Sequence, residues 1–249
     1  IELPVFSKSR PRRIYYENSS LPRLARKHQL DLMHWFANTQ GLFNGVPAAV
    51  TFYDLMVFAK PEAFGVAKRF YLQTMMKQTG RRAAMLLPMS DSTAADMERI
   101  LGANPARMAV IPPILHERFS VADEAAVLEL KARYSLPDKF WLYVAHFYPH
   151  KNHFRLLEAY HALKLNGATP WPLILCGDMK GFDALIMDEI KARSLERDVM
   201  LVSAGAPKAS PYPRLSENEL PVLFSAAQAL VFPSLFEGAG IPVLEAMAC

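Results

Sequence analysis

The stretch that most constrains this chain runs from Leu230 to Cys249, LVFPSLFEGAGIPVLEAMAC. Leu230, Val231 and Phe232 form a short apolar run of the kind that ends a buried strand. Pro233 and Ser234 stop it, Glu237-Gly238-Ala239-Gly240 makes a small-residue turn, and Pro242 falls in a first helical turn, where a missing N–H costs little. Val243 to Ala248 reads as the helix itself. A strand, a small-residue turn and a helix start leave backbone N–H groups at the positive end of a helix dipole, a ready site for an anion. Glu237 precedes the turn and Glu245 lies on the helix, eight positions later. A carboxylate can accept two hydroxyl hydrogen bonds at once, which suits a ribose or hexose diol. The residues describe a phosphate cradle with a sugar clamp on each side. An ordinary strand-to-helix turn, with glycines that serve only packing, is the bland alternative.

Composition sets the frame for that site. At 249 residues the chain holds one large domain or two small ones, and 51% hydrophobic with 21% charged residues describes a soluble globular protein. A net charge of +4 suits anionic ligands, or a membrane surface rich in acidic lipid. Cys176 and Cys249 have neither zinc nor disulfide spacing, so a reducing compartment is expected. No run of eighteen apolar residues and no signal-peptide pattern occurs, which reads as a cytoplasmic protein. The chain begins with Ile1 and reaches Cys249 without a helix cap, so the expectation is a piece of a longer protein.

The segment FEGAGIPVLEAMAC closely resembles the E-x7-E segment of the retaining, nucleotide-sugar-dependent glycosyltransferases of family 4, which have the GT-B fold. The resemblance implies an α/β protein of two Rossmann-like doubly wound domains facing a cleft, both incomplete here, as residues 1–117 and 118–249. It implies that Glu245 holds the donor ribose and that Glu237 lies beside the transferred sugar. Gly238, Ala239, Gly240 and Ile241 then present backbone to the donor. The implied partners are a UDP- or GDP-linked sugar and a saccharide or lipid-linked acceptor, with no nucleic acid, no metal and no cofactor.

Further matched segments lie along the chain in family order. Residues 7–13 read as a basic loop, and Leu21 to Leu30 as a short helix. Strands are expected at 31–35 and 47–52. Tyr53-Asp54 then resembles a His-Asp pair at the cleft, with tyrosine in place of histidine; Asp54 equally suits a helix or turn cap. Pro61 to Gly80 reads as an amphipathic helix with Phe64, Ala67, Phe70, Tyr71 and Met75 on one side. Such a basic helix packs on a sheet or touches a membrane holding a lipid-linked acceptor, and a peripheral contact at the inner membrane face stays open. Ala83 to Met89 is a strand, and Ser90-Asp91-Ser92 caps the helix after it. Val110-Ile111-Pro112-Pro113 resembles the interdomain crossover, although Ile114-Leu115-His116-Glu117 replaces the usual Asn-Gly-Val-Asp.

In the second half Phe140 to His146 (FWLYVAH) is a strand, and Asn152 opens a helix over 154–165. The segment resembles one in which two basic groups hold the donor pyrophosphate. Lys151 matches, and Ala145-His146 replaces the commoner Gly-Arg. A neutral imidazole still donates a hydrogen bond, and becomes cationic near phosphate. His150 and His153 read as solvated neighbours. The three histidines lack a fourth ligand and do not read as a zinc site. Strands follow at 173–178 and 199–202, with a helix over 182–194. Gly205 to Arg214 forms a long loop with three prolines, and Ser216 to Leu220 caps a helix.

The expected activity is transfer of a hexose, such as mannose or glucose, with retention of configuration. Glu237, Asp54 and Tyr53 form the catalytic set, and His146, Lys151, residues 238–241 and Glu245 the donor-binding set. An epimerase would carry acid/base carboxylates in the cleft, and a phosphorylase a lysine-bound pyridoxal phosphate; neither is visible. A degenerate nucleotide-sugar-binding module without transfer activity is the rival, favoured by Tyr53 and His146.

Overall fold

A computed structural model describes residues 9–178, 181–204 and 212–249. It divides into two compact units, Ile1–Pro113 with Glu237–Ala239, and Ile114–Phe236 with Gly240–Cys249. As expected, both are α/β with parallel strands.

In the first unit, helix α1 (Arg10–Lys27) leads to β1 (Met33–Trp35) and β2 (Ala48–Phe52). Short α2 (Met56–Ala59), a 3-10 turn at Pro61–Ala63 and α3 (Val66–Arg82) follow, then β3 (Met85–Pro88) and α4 (Asp91–Asp96), which runs on into a π turn at Met97–Leu101. The sheet has the order β1-β2-β3, with Met33 opposite Ala48 and Val50 opposite Leu86. Val50, Phe52, Leu55, Met76, Leu86 and Met97 are its buried centre. A strand covered on both faces needs a near-continuous apolar run, which AAVTF supplies with Thr51, its one partly exposed residue, as the single exception.

Two expectations fail here. The sequence reads 10–13 as loop, yet α1 begins at Arg10 and passes through Pro22. Pro11 is tolerated in the first turn. Pro22 is buried with Ala25 on one face, so packing offsets the backbone bond that a mid-helix proline loses. The helix expected from Pro61 starts only at Val66, and its buried face is Met75, Met76, Thr79 and Gly80. Phe70, assigned to the apolar side, is 72% exposed.

In the second unit α5 (Glu124–Tyr134) precedes β4 (Trp141–Val144), a 3-10 turn at Pro149–Lys151 and α6 (His153–Leu165). Then come β5 (Leu173–Cys176), α7 (Asp183–Ala192), β6 (Val199–Ala204), β7 (Arg214–Leu215), α8 (Leu220–Ala226), β8 (Ala229–Leu230) and α9 (Ile241–Ala248). The sheet order is β7-β6-β5-β4-β8. Its two faces are covered separately, one by a cluster around Tyr143, Leu157, Tyr160 and Ile190, the other by one around Phe140, Leu142, Val202 and Leu223. Most of the proline-rich loop expected at 205–214 lies outside the described residues. The strand expected over 230–232 is shorter than its apolar run: Val231 still donates to the Leu142 carbonyl (2.8 Å), and the backbone then leaves the sheet.

Candidate functional site

In the second unit the chain winds from β4 through β5 and β6 to β7, then returns to place β8 on the opposite side of β4. The direction of winding therefore reverses between β4 and β8. In an open parallel sheet the loops beyond the carboxyl ends diverge at such a reversal and leave a crevice. The loops concerned are 145–152 after β4 and 231–240 after β8.

The first loop is held tightly. Ala145 donates to the Cys176 carbonyl (2.9 Å) and Phe147 to the Asp178 carbonyl (3.0 Å). A β-carbon on Gly177 would lie 2.0 Å from the Ala145 carbonyl oxygen, so only glycine fits beside this backbone. Exposed His146 accepts the Asp178 N–H at Nδ1 (3.3 Å), which places its proton on Nε2 as a donor. The 3-10 turn then carries Lys151 to the start of α6, and Asn152 takes up a left-handed conformation (φ 63°) to enter the helix. Asparagine tolerates that region better than most residues.

His153 corrects an expectation: it is not solvated but 3% exposed, its ring packed on Tyr143 (4.8 Å) and Phe147 (4.2 Å). Its Nε2 is buried with no hydrogen-bond partner. Burial, reinforced by the charges of Lys151 and His150, lowers its pKa to about 4, so the imidazole stays neutral near pH 7. The signal was local: HFRLL places His153 three and four positions before Leu156 and Leu157, on the buried face of α6.

The second loop meets the first. Leu235 donates to the His150 carbonyl (2.8 Å), and the Asn152 side-chain amide donates to the Pro233 carbonyl (3.1 Å). Tyr143, wholly buried on β4, donates its hydroxyl proton to the Lys151 carbonyl (2.6 Å) and lies 3.1 Å from the Ser234 hydroxyl. Further on, Gly240 is left-handed (φ 62°) and starts α9. Pro242 has no N–H and Val243 bonds back to the Gly240 carbonyl (2.9 Å), so Ile241 supplies the first-turn donor. Glu245 is half-buried on α9; burial raises its pKa, and Arg118 opposes the rise.

The remaining candidates lie in the first unit. Tyr53 is 43% exposed, and its backbone N–H is held by the Asn38 side chain (2.7 Å). Asp54 acts as a cap, accepting the Met56 N–H at Oδ1 (2.9 Å). Ser90 caps α4 by accepting the Thr93 N–H (3.1 Å), and its hydroxyl lies 2.5 Å from the Gly238 carbonyl oxygen. A β-carbon on Gly238 would come within 1.9 Å of the Tyr53 carbonyl oxygen, so the tripeptide Glu237–Ala239 also relies on glycine for its fit. Among the described residues, no cluster of His, Cys, Asp or Glu is placed to hold a metal ion. Tyr143, Ser234 and Gly177 are site residues that the sequence did not single out, because each reads as part of an apolar strand or its stop.

Comparison with known proteins bears on this arrangement. Residues 1–117 match the model of Glycosyltransferase Family 4, and residues 130–249 that of Glycosyl transferases group 1. The chain is 26% identical over 203 residues to O-antigen chain mannosyltransferase B of Escherichia coli, covering 81% of this chain and 51% of that protein. It is 29% identical over 187 residues to the serotype-specific mannosyltransferase WbdA of the same organism, covering 73% and 21%. The chain thus spans about half the length of the first relative. Among solved structures it resembles WaaG, a glycosyltransferase involved in lipopolysaccharide biosynthesis, with TM-score 0.70 and 20% identity over the whole of this chain and 63% of that one. It also resembles HepE of Anabaena in complex with UDP, with TM-score 0.68 and 16% identity, covering 93% and 60%. These structural likenesses bear on the fold, which is GT-B.

Proposed function

The chain belongs to the family 4, group 1 glycosyltransferases, and from that premise we propose that it transfers a hexose from a nucleoside-diphosphate sugar to a saccharide or lipid-linked acceptor with retention of configuration. The observation that carries this reading is the reversal of winding between β4 and β8, with Lys151 on one of the loops there and the start of α9 on the other. Mannose is the favoured sugar, because both curated relatives described above are mannosyltransferases.

Departure of the nucleoside diphosphate builds negative charge on phosphate oxygens. In this reading the Lys151 ammonium, the His146 Nε2–H and the Ile241 N–H stabilise that charge as it develops, and Gly238, Ala239 and Gly240 let the donor approach the backbone. Glu245 accepts the two ribose hydroxyls. Its raised pKa makes this contact sensitive to mild acid, because protonation removes an acceptor. Glu237 lies against the transferred sugar, with Asp54 and Tyr53 on the acceptor side. Retention follows if the acceptor attacks the face from which the diphosphate leaves, with the departing phosphate taking its proton.

A peripheral contact with an anionic membrane belongs to the same reading. Helix α3 carries Lys68, Arg69, Lys77, Arg81 and Arg82 and no acidic residue, and Val66 and Phe70 are exposed on it. Among the described residues no helix is long and apolar enough to cross a membrane.

Calorimetric titration of GDP, UDP and ADP into the complete protein and its Glu245→Ala variant tests the site. One nucleotide binding in the micromolar range, weakened by the substitution, is expected. An acceptor assay with the matching donor, read by the anomeric coupling of the product, tests retention. Binding without transfer would favour the degenerate module, and restoring His at Tyr53 and Arg at His146 would then raise activity.

A further inference from the structure

The loops that follow β4 and β8 are joined by a set of bonds that the donor site described above does not itself require. Tyr143 reaches from the middle of β4 to the backbone carbonyl of Lys151, at 2.6 Å. Its single proton is directed there, so the Ser234 hydroxyl, 3.1 Å away, serves as donor to the phenol oxygen. One phenol oxygen therefore ties the lysine turn to the segment leading toward Glu237. Asn152 makes a second tie to the Pro233 carbonyl, and the Leu235 N–H a third to the His150 carbonyl.

The placement of Tyr143 is costly unless it is used. Residues of a central strand in a parallel sheet are ordinarily apolar, and a buried hydroxyl without a partner is strongly unfavourable. A phenylalanine would fill the same space against His153 and Phe232. Asn152 points the same way: a left-handed residue at a helix start is paired with a side chain whose amide crosses to the other loop. Neither bond adds to the apolar core; both fix the position of one backbone turn.

We propose that Tyr143 and Asn152 are positioning residues for donor recognition: with Ser234 they hold the turn bearing Lys151 in register with the loop after β8. The proposal rests on Lys151 contacting the donor diphosphate. Tyr143→Phe removes only the hydroxyl, and with it the bonds to the Lys151 carbonyl and Ser234. Asn152→Gly keeps the left-handed backbone while deleting the amide, and Asn152→Asp keeps the size while removing the donor.

The test is titration of GDP and UDP into the complete protein, with donor and acceptor KM and thermal melting measured on the same preparations. Tyr143→Phe and Asn152→Gly are each expected to weaken nucleotide binding roughly tenfold. Donor KM should rise while acceptor KM holds. Tyr143→Phe and Ser234→Ala should combine less than additively, because they remove one shared bond. Lower melting temperatures with unchanged nucleotide affinity, when Lys151→Ala does reduce affinity, would overturn the positioning role and leave the donor site standing. Unchanged affinity in Lys151→Ala would overturn the donor site, and the positioning role with it.

Discussion

The two units of this chain use the same parallel strand–helix grammar and differ in winding and in charge. Residues 1–113 carry fifteen Lys and Arg against eight Asp and Glu, whereas residues 114–249 carry thirteen against sixteen. The described strands of the first unit follow in the order β1-β2-β3, with no reversal, while those of the second wind both ways from β4. A sheet that reverses creates a crevice at its strand ends. The contrast teaches a division of labour. The unit of net negative charge places a single lysine, Lys151, on the crevice loops, and the basic unit spreads its cations over helices.

The comparison breaks first, and with the largest effect, if the second unit does not depend on tight loop fit. Gly177→Ala should cost about 3 kcal/mol or more, because the added carbon meets backbone at Ala145 that cannot turn aside. Chemical denaturation checks this, and a loss below 1 kcal/mol would show that the loop after β4 gives way.

Next in size is a pH effect. The folded pKa of His153, about 4, lies below its unfolded value near 6.5, so the unfolded state binds more protons in between. Stability from this group is complete above about pH 6.5 and is lost as pH falls toward 4, by about 3 kcal/mol in all. His153→Phe should flatten that part of the stability curve, and a curve unchanged by the substitution would assign the acid sensitivity elsewhere.

Smaller effects sharpen the comparison at the level of ligands. Lys151→Ala should weaken nucleoside diphosphate binding roughly fiftyfold, and Glu245→Ala roughly tenfold, both read by calorimetry. The loss in wild type on lowering pH should begin above the ordinary carboxylate range and vanish in Glu245→Ala. Least of all, Lys68→Ala on α3 should reduce partition onto vesicles containing phosphatidylserine roughly fivefold, leaving nucleotide affinity alone. An effect on nucleotide and none on vesicles would reverse the roles given to the two units.

Much of the fold is local and was therefore legible. AAVTF, WLYV and LILC are apolar runs long enough only for buried strands, and the glycine and proline around residue 241 announce a helix start. What failed depends on contacts distant in sequence. Pro22 reads as a helix stop until its burial is known, and Phe70 reads as core until α3 is seen to bury the face of Met75 and Met76 instead. Tyr143 looks like any aromatic of a central strand, and its hydroxyl links two loops because β8, formed far downstream, pairs beside β4 and brings Ser234 to it. His153 was misread for the opposite reason. Its charged neighbours suggested a wet surface, although the helical period had already placed it inside.

The bond from Asn152 to Pro233 spans 81 residues, and it joins segments that a ribosome makes far apart in time. At ordinary elongation rates the lysine turn leaves the tunnel roughly 4 to 16 s before the loop that completes it. During that interval β4, β5 and β6 can pair, but the proposed donor site has only one of its two loops. On the proposed function, the nascent chain is thus blind to its donor until β8 has taken its place.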